Sequence, residues 1–361
     1  MLVSVPLMRP ILPQAEDLIP YLKRIDSNRS YSNFGPLHDD FLARLLQIQH
    51  QLDGAEIFGV LTANATTGLE MAIAALDLPL GSRVALPALT FPATASAIQR
   101  CGHIPVAFDV DPSSWLLTPS QVPTDGIDAV VPVAAFGKPQ DAQAWAVWSK
   151  DKGIPVIVDA AAAFGGQQTA PGVTVVFSLH ATKTLSSAEG GVVFSRDPML
   201  VSRLRAMTNF GIGLNGPALV GNAKMSEYHA AVGLAHLALW PAQMALRYEL
   251  LERYRDQLVS AVGSVFDFQE GVGSFAPSVL PIRLNSASLR DQLEQSCAHA
   301  GVQTRRWYQP LIQHQPMLGA IEAEQGTPNA EFLSTTLLGL PFYPDMTEMQ
   351  LGIVVAQVLA L

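Results

Sequence analysis

Short apolar runs rich in valine and isoleucine recur at residues 57–61, 83–86, 104–109, 129–134 and 155–158. Most are separated by stretches of helical apolar spacing, such as Leu69, Met71, Ile73 and Leu76, then 93–98 and 142–149. Runs that stay apolar at every position, instead of every second one, belong to strands covered on both faces. Strands joined through helices return parallel. The chain therefore predicts an α/β fold with a mostly parallel sheet between helical layers. A composition of 49% hydrophobic and 15% charged residues, with mean hydropathy +0.24, fits much buried sheet and a buried subunit interface. The 361 residues exceed what one core usually serves. Residues 225–261 read as one long helical region in which Pro241 marks a kink or boundary. A strand at 278–283, a helix at 289–300 and a last helix after Asp345 follow it. The expected division is a large domain at 1–240, opening with a proline-punctuated arm at 1–33, and a smaller C-terminal α+β domain at 241–361.

Within that frame, Val175-Val176-Phe177-Ser178 ends one apolar run, Lys183 follows in a polar turn, and Glu189-Gly190-Gly191 opens the next run, Val192-Val193-Phe194. Lys183 thus falls in a loop between two strands, among small, hydroxyl and apolar neighbours. Two readings are open. It is an ordinary surface lysine, or it is desolvated, which lowers an ammonium pKa and makes a nucleophilic or Schiff-base lysine. Asp159 closes the run Val156-Ile157-Val158, at the carboxyl end of a buried strand, where open α/β sheets bind ligands. It either caps the alanine-rich segment that follows or works with Lys183. In the second case it keeps the ring nitrogen of pyridoxal 5′-phosphate (PLP) protonated while the lysine carries the aldehyde. The turn Asn64-Ala65-Thr66-Thr67-Gly68, between strand and helix, either caps that helix or offers N–H and hydroxyl groups to a phosphate. Gly211-Ile212-Gly213-Leu214-Asn215-Gly216 fits G-x-G-x-x-G, but it follows a helical basic stretch instead of a strand and precedes Pro217. It reads as a glycine loop and not as a dinucleotide site.

A net charge of −9 without a basic run argues against nucleic acid as a partner. Cys101 and Cys297 make no metal-ligand spacing and read as reduced thiols of a cytoplasmic protein; no metal is expected. No stretch reaches the roughly 18 uninterrupted apolar residues of a membrane span. The opening 1–13 is broken by Pro6, Pro10 and Pro13 and lacks the layout of a signal peptide.

Five ordered motifs carry a resemblance. They are Asn64-Ala65-Thr66-Thr67-Gly68-Leu69; Leu86-Pro87-Ala88-Leu89-Thr90-Phe91-Pro92-Ala93-Thr94; Val158-Asp159-Ala160-Ala161; Phe177-Ser178-Leu179-His180-Ala181-Thr182-Lys183 with Glu189-Gly190-Gly191; and Asn222-Ala223-Lys224-Met225-Ser226-Glu227. In this order they resemble the DegT/DnrJ/EryC1/StrS sugar aminotransferases, as do Trp307-Tyr308-Gln309-Pro310-Leu311 and Leu338-Gly339-Leu340-Pro341-Phe342-Tyr343-Pro344. The resemblance implies a fold-type-I, PLP-dependent transferase, a homodimer with shared active sites, and transfer of an amino group, commonly from glutamate, to a nucleotide-linked keto-sugar. It makes Lys183 the Schiff-base lysine and proton shuttle, and Asp159 the partner of the pyridinium nitrogen. Phe91 is expected to stack on the cofactor ring, Ser178 and the turn Ala65, Thr66 and Thr67 to hold its phosphate, and Asn222 to reach the neighbouring subunit's phosphate. Sugar dehydratases of the same family carry histidine in place of the lysine. His180 falls on the motif's histidine and is expected to be packed and hydrogen-bonded.

Three departures stand out. Ala162 replaces a glutamine that contacts the cofactor's phenolic oxygen, with Gln167 or Gln168 as possible substitutes. Ala65 replaces a glycine. Lys224 replaces an arginine, exchanging a forked guanidinium for a point charge. They point to a divergent subgroup, and leave two further classes open beside the sugar aminotransferase: a PLP enzyme for another keto acceptor, and a non-catalytic, ligand-binding relative. Loops at 31–37, 211–216 and 305–308 are expected to select the substrate. There Arg305 and Arg306 either meet a pyrophosphate or are solvated strand-end charges.

Overall fold

A computed structural model describes residues 5–216, 218–275, 277–323 and 326–361; residues 1–4 of the expected arm lie outside them. The apolar runs become strands β1 (Phe58–Thr62), β2 (Arg83–Pro87), β3 (Ile104–Phe108), β4 (Ala129–Val130), β5 (Val156–Asp159), β6 (Val173–Ser178) and β7 (Gly191–Ser195). Later strands are β8 (Phe266–Phe268), β9 (Leu280–Leu284), β10 (Glu322–Ala323) and β11 (Leu337–Leu340). The helices are α1 (Ala15–Asn28), α2 (Pro36–Asp53), α3 (Ala65–Ala74), α4 (Pro92–Arg100), α5 (Ala142–Lys152), α6 (Pro198–Met207), α7 (Glu227–Leu258), α8 (Ala287–His299), α9 (Pro328–Thr336) and α10 (Glu348–Leu359).

The main sheet has eight strands in the order β1-β7-β6-β5-β4-β2-β3-β10. It is parallel from β6 through β10, as the helical crossovers require, but β7 runs antiparallel to both β6 and β1. Strands β5, β6 and β7 are buried along their whole length, so helices cover both faces. The expected strand at 129–134 is cut to two residues because Pro132 has no N–H to donate; its carbonyl still accepts from the Asp159 amide, at 2.9 Å. The expected arm is a correction too. A fourteen-residue helix, α1, runs through Pro20, opened by a capping box between Gln14 and Asp17 and held by Ile25, Tyr21 and Leu22 in the core beneath it.

A three-stranded antiparallel sheet, β11-β9-β8, forms a second centre with α8 and α10. Helix α7 joins the two without interruption at Pro241. Ala230, Ala231 and Leu234 pack with the large sheet, and Leu250, Leu251, Tyr254 and Leu258 with the small one. The C-terminal chain returns to the large core through Trp307, Ile312, Leu333 and strand β10, while Val5 packs with the small sheet. Among the described residues no helix is long and apolar enough to cross a membrane.

Candidate active site

Neighbouring parallel strands β5 and β6 end side by side, with Asp159 in register with Val176. From the end of β6, the chain makes a laced turn back to β7: Leu179 N–H donates to Gly190 O, Ala181 N–H to Ala188 O, and Lys183 N–H to His180 O, at 2.8 to 2.9 Å. The turn places Lys183 in the loop between two strands that the spacing predicts, and sets it against the cavity at the carboxyl ends of the strands. Asp159 is 5% exposed. Its Oδ2 accepts from Thr94 Oγ1 at 2.7 Å and its Oδ1 from the Ala161 amide at 3.1 Å. Burial raises its pKa, while the bonds from Thr94 and Ala161 and the charge of Lys183 oppose that rise. Burial lowers the pKa of Lys183, against a smaller upward pull from Asp159. Among the described residues the Lys183 ammonium makes no ion pair. A desolvated, unpaired amine beside a buried carboxylate is the arrangement that carbonyl chemistry needs.

The start of α3 forms another wall. Asn64 caps the helix by accepting from Thr67 N at 2.9 Å. Glycine at 191 allows that start to press on β7, since a Cβ there would lie 2.7 Å from Ala65 N. Ala65, Thr66, Phe91, Ser178, Asp159 and Lys183 all line one cavity of about 430 Å³. Phe91 is 53% exposed at the cavity, and the Thr66 hydroxyl makes no hydrogen bond among the described residues. Two expected site residues are not part of this wall. Thr67 spends both its amide and its hydroxyl on Asn64 Oδ1, and Asn222 is exposed beyond the cavity, bridged to Asn209.

His180 is hydrogen-bonded as expected, its Nδ1 lying 3.0 Å from Thr182 Oγ1, but it is not packed: its side chain is 45% exposed at the cavity beside Glu189. Neither glutamine substitutes for Ala162. Gln167 is bound to the backbone of Gln140 and Gln168, and Gln168 to Leu52 O. The two arginines divide: Arg306 is tied to Glu294 and Asp291, whereas Arg305 lies over the Trp307 ring at 4.3 Å and lines the cavity.

Three contributors are not among the individually expected site residues. Thr94 meets Asp159 only through the packing of α4. Phe136, held at φ 62°, stacks on Tyr308 with ring centroids 5.4 Å apart, and Tyr308 is pushed to a high pKa by burial. The donor set fits PLP: an amine for its aldehyde, a buried carboxylate with no cation bonded to it for its ring nitrogen, and an aromatic ring at the cavity for its face. The free hydroxyl and helix N-terminus suit a phosphate.

A curated dTDP-4-amino-4,6-dideoxy-D-glucose transaminase from Shigella dysenteriae is 28% identical over 362 residues, covering 97% of each chain. The crystal structure of DesI with its TDP-sugar product superposes with a TM-score of 0.87 at 30% identity, covering 99% of this chain and 93% of that one. A PLP-dependent aminotransferase structure from Bacillus cereus reaches 0.89 at 25% identity, over 99% and 100%. The profile of the DegT/DnrJ/EryC1/StrS aminotransferase family matches residues 14–359. With its lysine, aspartate and cavity in place, the chain belongs to that family.

Proposed function

We propose that this PLP-dependent aminotransferase moves an amino group from glutamate to the keto group of a nucleotide-linked sugar. The observation that carries this reading is the meeting of Lys183 and Asp159 in one buried cavity. When bound, the cofactor supplies an electron sink and a carrier for the amino group. Lys183 Nζ would hold the cofactor by its aldehyde and, when free, would move a proton away from the amino donor's Cα and onto the acceptor carbon. Burial lowers the Lys183 pKa and so favours the uncharged amine that a base requires. The hydrogen bonds from Thr94 and Ala161 favour the charged form of Asp159, which would keep the ring nitrogen protonated. Phe91 offers a stacking face, and Ser178, Thr66 and the α3 N-terminus receive the phosphate. Arg305, exposed at the cavity, suits the diphosphate of a nucleotide sugar.

A homodimer is part of the proposal. Phe210, Ile212, Leu219 and Val220 expose apolar surface beside the exposed Asn222, which supports a partner subunit covering that stretch and receiving Asn222 at its own site. Free thiols at Cys101 and Cys297 support a cytoplasmic setting.

The test is the visible spectrum of the purified protein with and without glutamate. A band of lysine-bound cofactor that disappears with glutamate, and is missing in Lys183→Ala, is expected. A wild-type protein that stays colourless when supplied with PLP would sink the proposal.

A further inference from the structure

A second, narrower cleft shares Met8, Thr182, Lys183 and Ser278 with the main cavity. Helix α7 contributes Arg247 to it, and the segment after β11 contributes Phe342 and Tyr343. Arg247 is 7% exposed, yet no carboxylate among the described residues pairs with it. Its contacts are a long 3.4 Å hydrogen bond to Ser278 O and the Phe342 ring 5.7 Å away. Burial lowers its pKa to about 10, which still leaves it charged at neutral pH. Tyr343 is 1% exposed, and its hydroxyl has no hydrogen-bond partner.

Leaving a buried guanidinium without an anion is costly, and so is a buried hydroxyl without a partner. Two such groups line one cleft, and the reactive lysine lines it too. Two other polar members are engaged: Arg9 pairs with Asp345 at 3.1 Å, and Gln243 lies between His236 and Ile11 O. The remaining space, about 10 Å³, suits one small group and is too small for a diphosphate.

We propose that this cleft seats a carboxylate of the amino donor, gripped by the forked N–H groups of Arg247 and the hydroxyl of Tyr343, so that the donor amine is presented to Lys183. A guanidinium fork matches a planar carboxylate in a way an ammonium does not. The subsite rests on the donor reading above, and it explains how an amino acid is recognised without using Arg305.

Binding of glutarate, an inert dicarboxylate, to the PLP-loaded enzyme tests this by calorimetry, with inorganic phosphate as a separate probe. Arg247→Met is expected to weaken glutarate binding roughly 10- to 100-fold. Tyr343→Phe, which removes a hydroxyl bonded to nothing and so leaves folding intact, is expected to weaken it roughly three- to tenfold. In both variants the visible band of bound cofactor is expected to persist. If glutamate bleaches that band in the wild type but both variants bind glutarate as the wild type does, the subsite is wrong and the donor reading stands. If the wild type neither responds to glutamate nor binds glutarate, both fall. Phosphate binding that is lost in Arg247→Met while glutarate binding is retained would overturn the carboxylate assignment.

Discussion

The hydroxyl of Thr94, on the first turn of α4, donates a 2.7 Å hydrogen bond to Asp159 Oδ2 at the end of β5. It favours the charged carboxylate in a site whose burial favours the neutral one. Thr94→Val keeps the shape and deletes the bond. Cofactor affinity is expected to fall roughly tenfold, the worth of a charge-assisted hydrogen bond. The acid limb of kcat/KM is expected to move to higher pH, because Asp159 then holds its proton longer. PLP titration and a pH profile measure both effects, and Thr94→Ser serves as the rescue.

Ala162 lines the cavity where the family glutamine would reach the cofactor, and neither Gln167 nor Gln168 is free to replace it. Ala162→Gln is expected to tighten PLP binding roughly fivefold, about 1 kcal/mol. Unchanged affinity in a titration would mean that the position no longer contacts the cofactor.

How much of this was legible depends on what each residue's position rests on. Asp159 ends a local apolar run and Lys183 follows another by a short turn, so their placement near the carboxyl edge of the sheet follows from neighbours in sequence. Thr94 and Tyr308 reach the site only through packing between distant elements, which no local period encodes. Strand β7 is buried at every position and its Val192-Val193-Phe194 run would look the same in either direction, so its antiparallel course was hidden. Helix α1 was masked by Pro20, whose lost hydrogen bond is outweighed by its cap and by the burial of Ile25. The unpaired state of Arg247 is invisible in sequence, since it depends on which carboxylates fold nearby.

Glu227, 1% exposed at the start of α7, caps a different helix: its Oε1 accepts from His38 N at 2.7 Å and its Oε2 from Leu37 N at 2.9 Å. Glu227→Ala leaves two amides at the start of α2 without that acceptor. A loss of about 2–3 kcal/mol in unfolding free energy is expected, read as a lower urea midpoint at constant m. Glu227→Gln, which keeps one acceptor oxygen, is expected to lose less.

His38 links stability to pH. Its side chain is fully buried, Nε2 has no partner, and burial holds its pKa below the ordinary 6.5 in spite of the opposing hydrogen bond from its Nδ1 to Asp39. The folded protein therefore keeps His38 neutral where the unfolded chain would protonate it. The sign follows from linkage: the unfolded state binds more protons, so stability is complete above pH 6.5 and declines as pH falls from there toward the depressed folded value. His103, lowered in the same direction by burial, adds to the decline. Melting temperatures between about pH 5 and pH 8 should drop on the acid side, and His38→Gln, which cannot take up the proton, should flatten that slope while leaving the His103 share. An equally steep slope in the variant would place the acid sensitivity elsewhere.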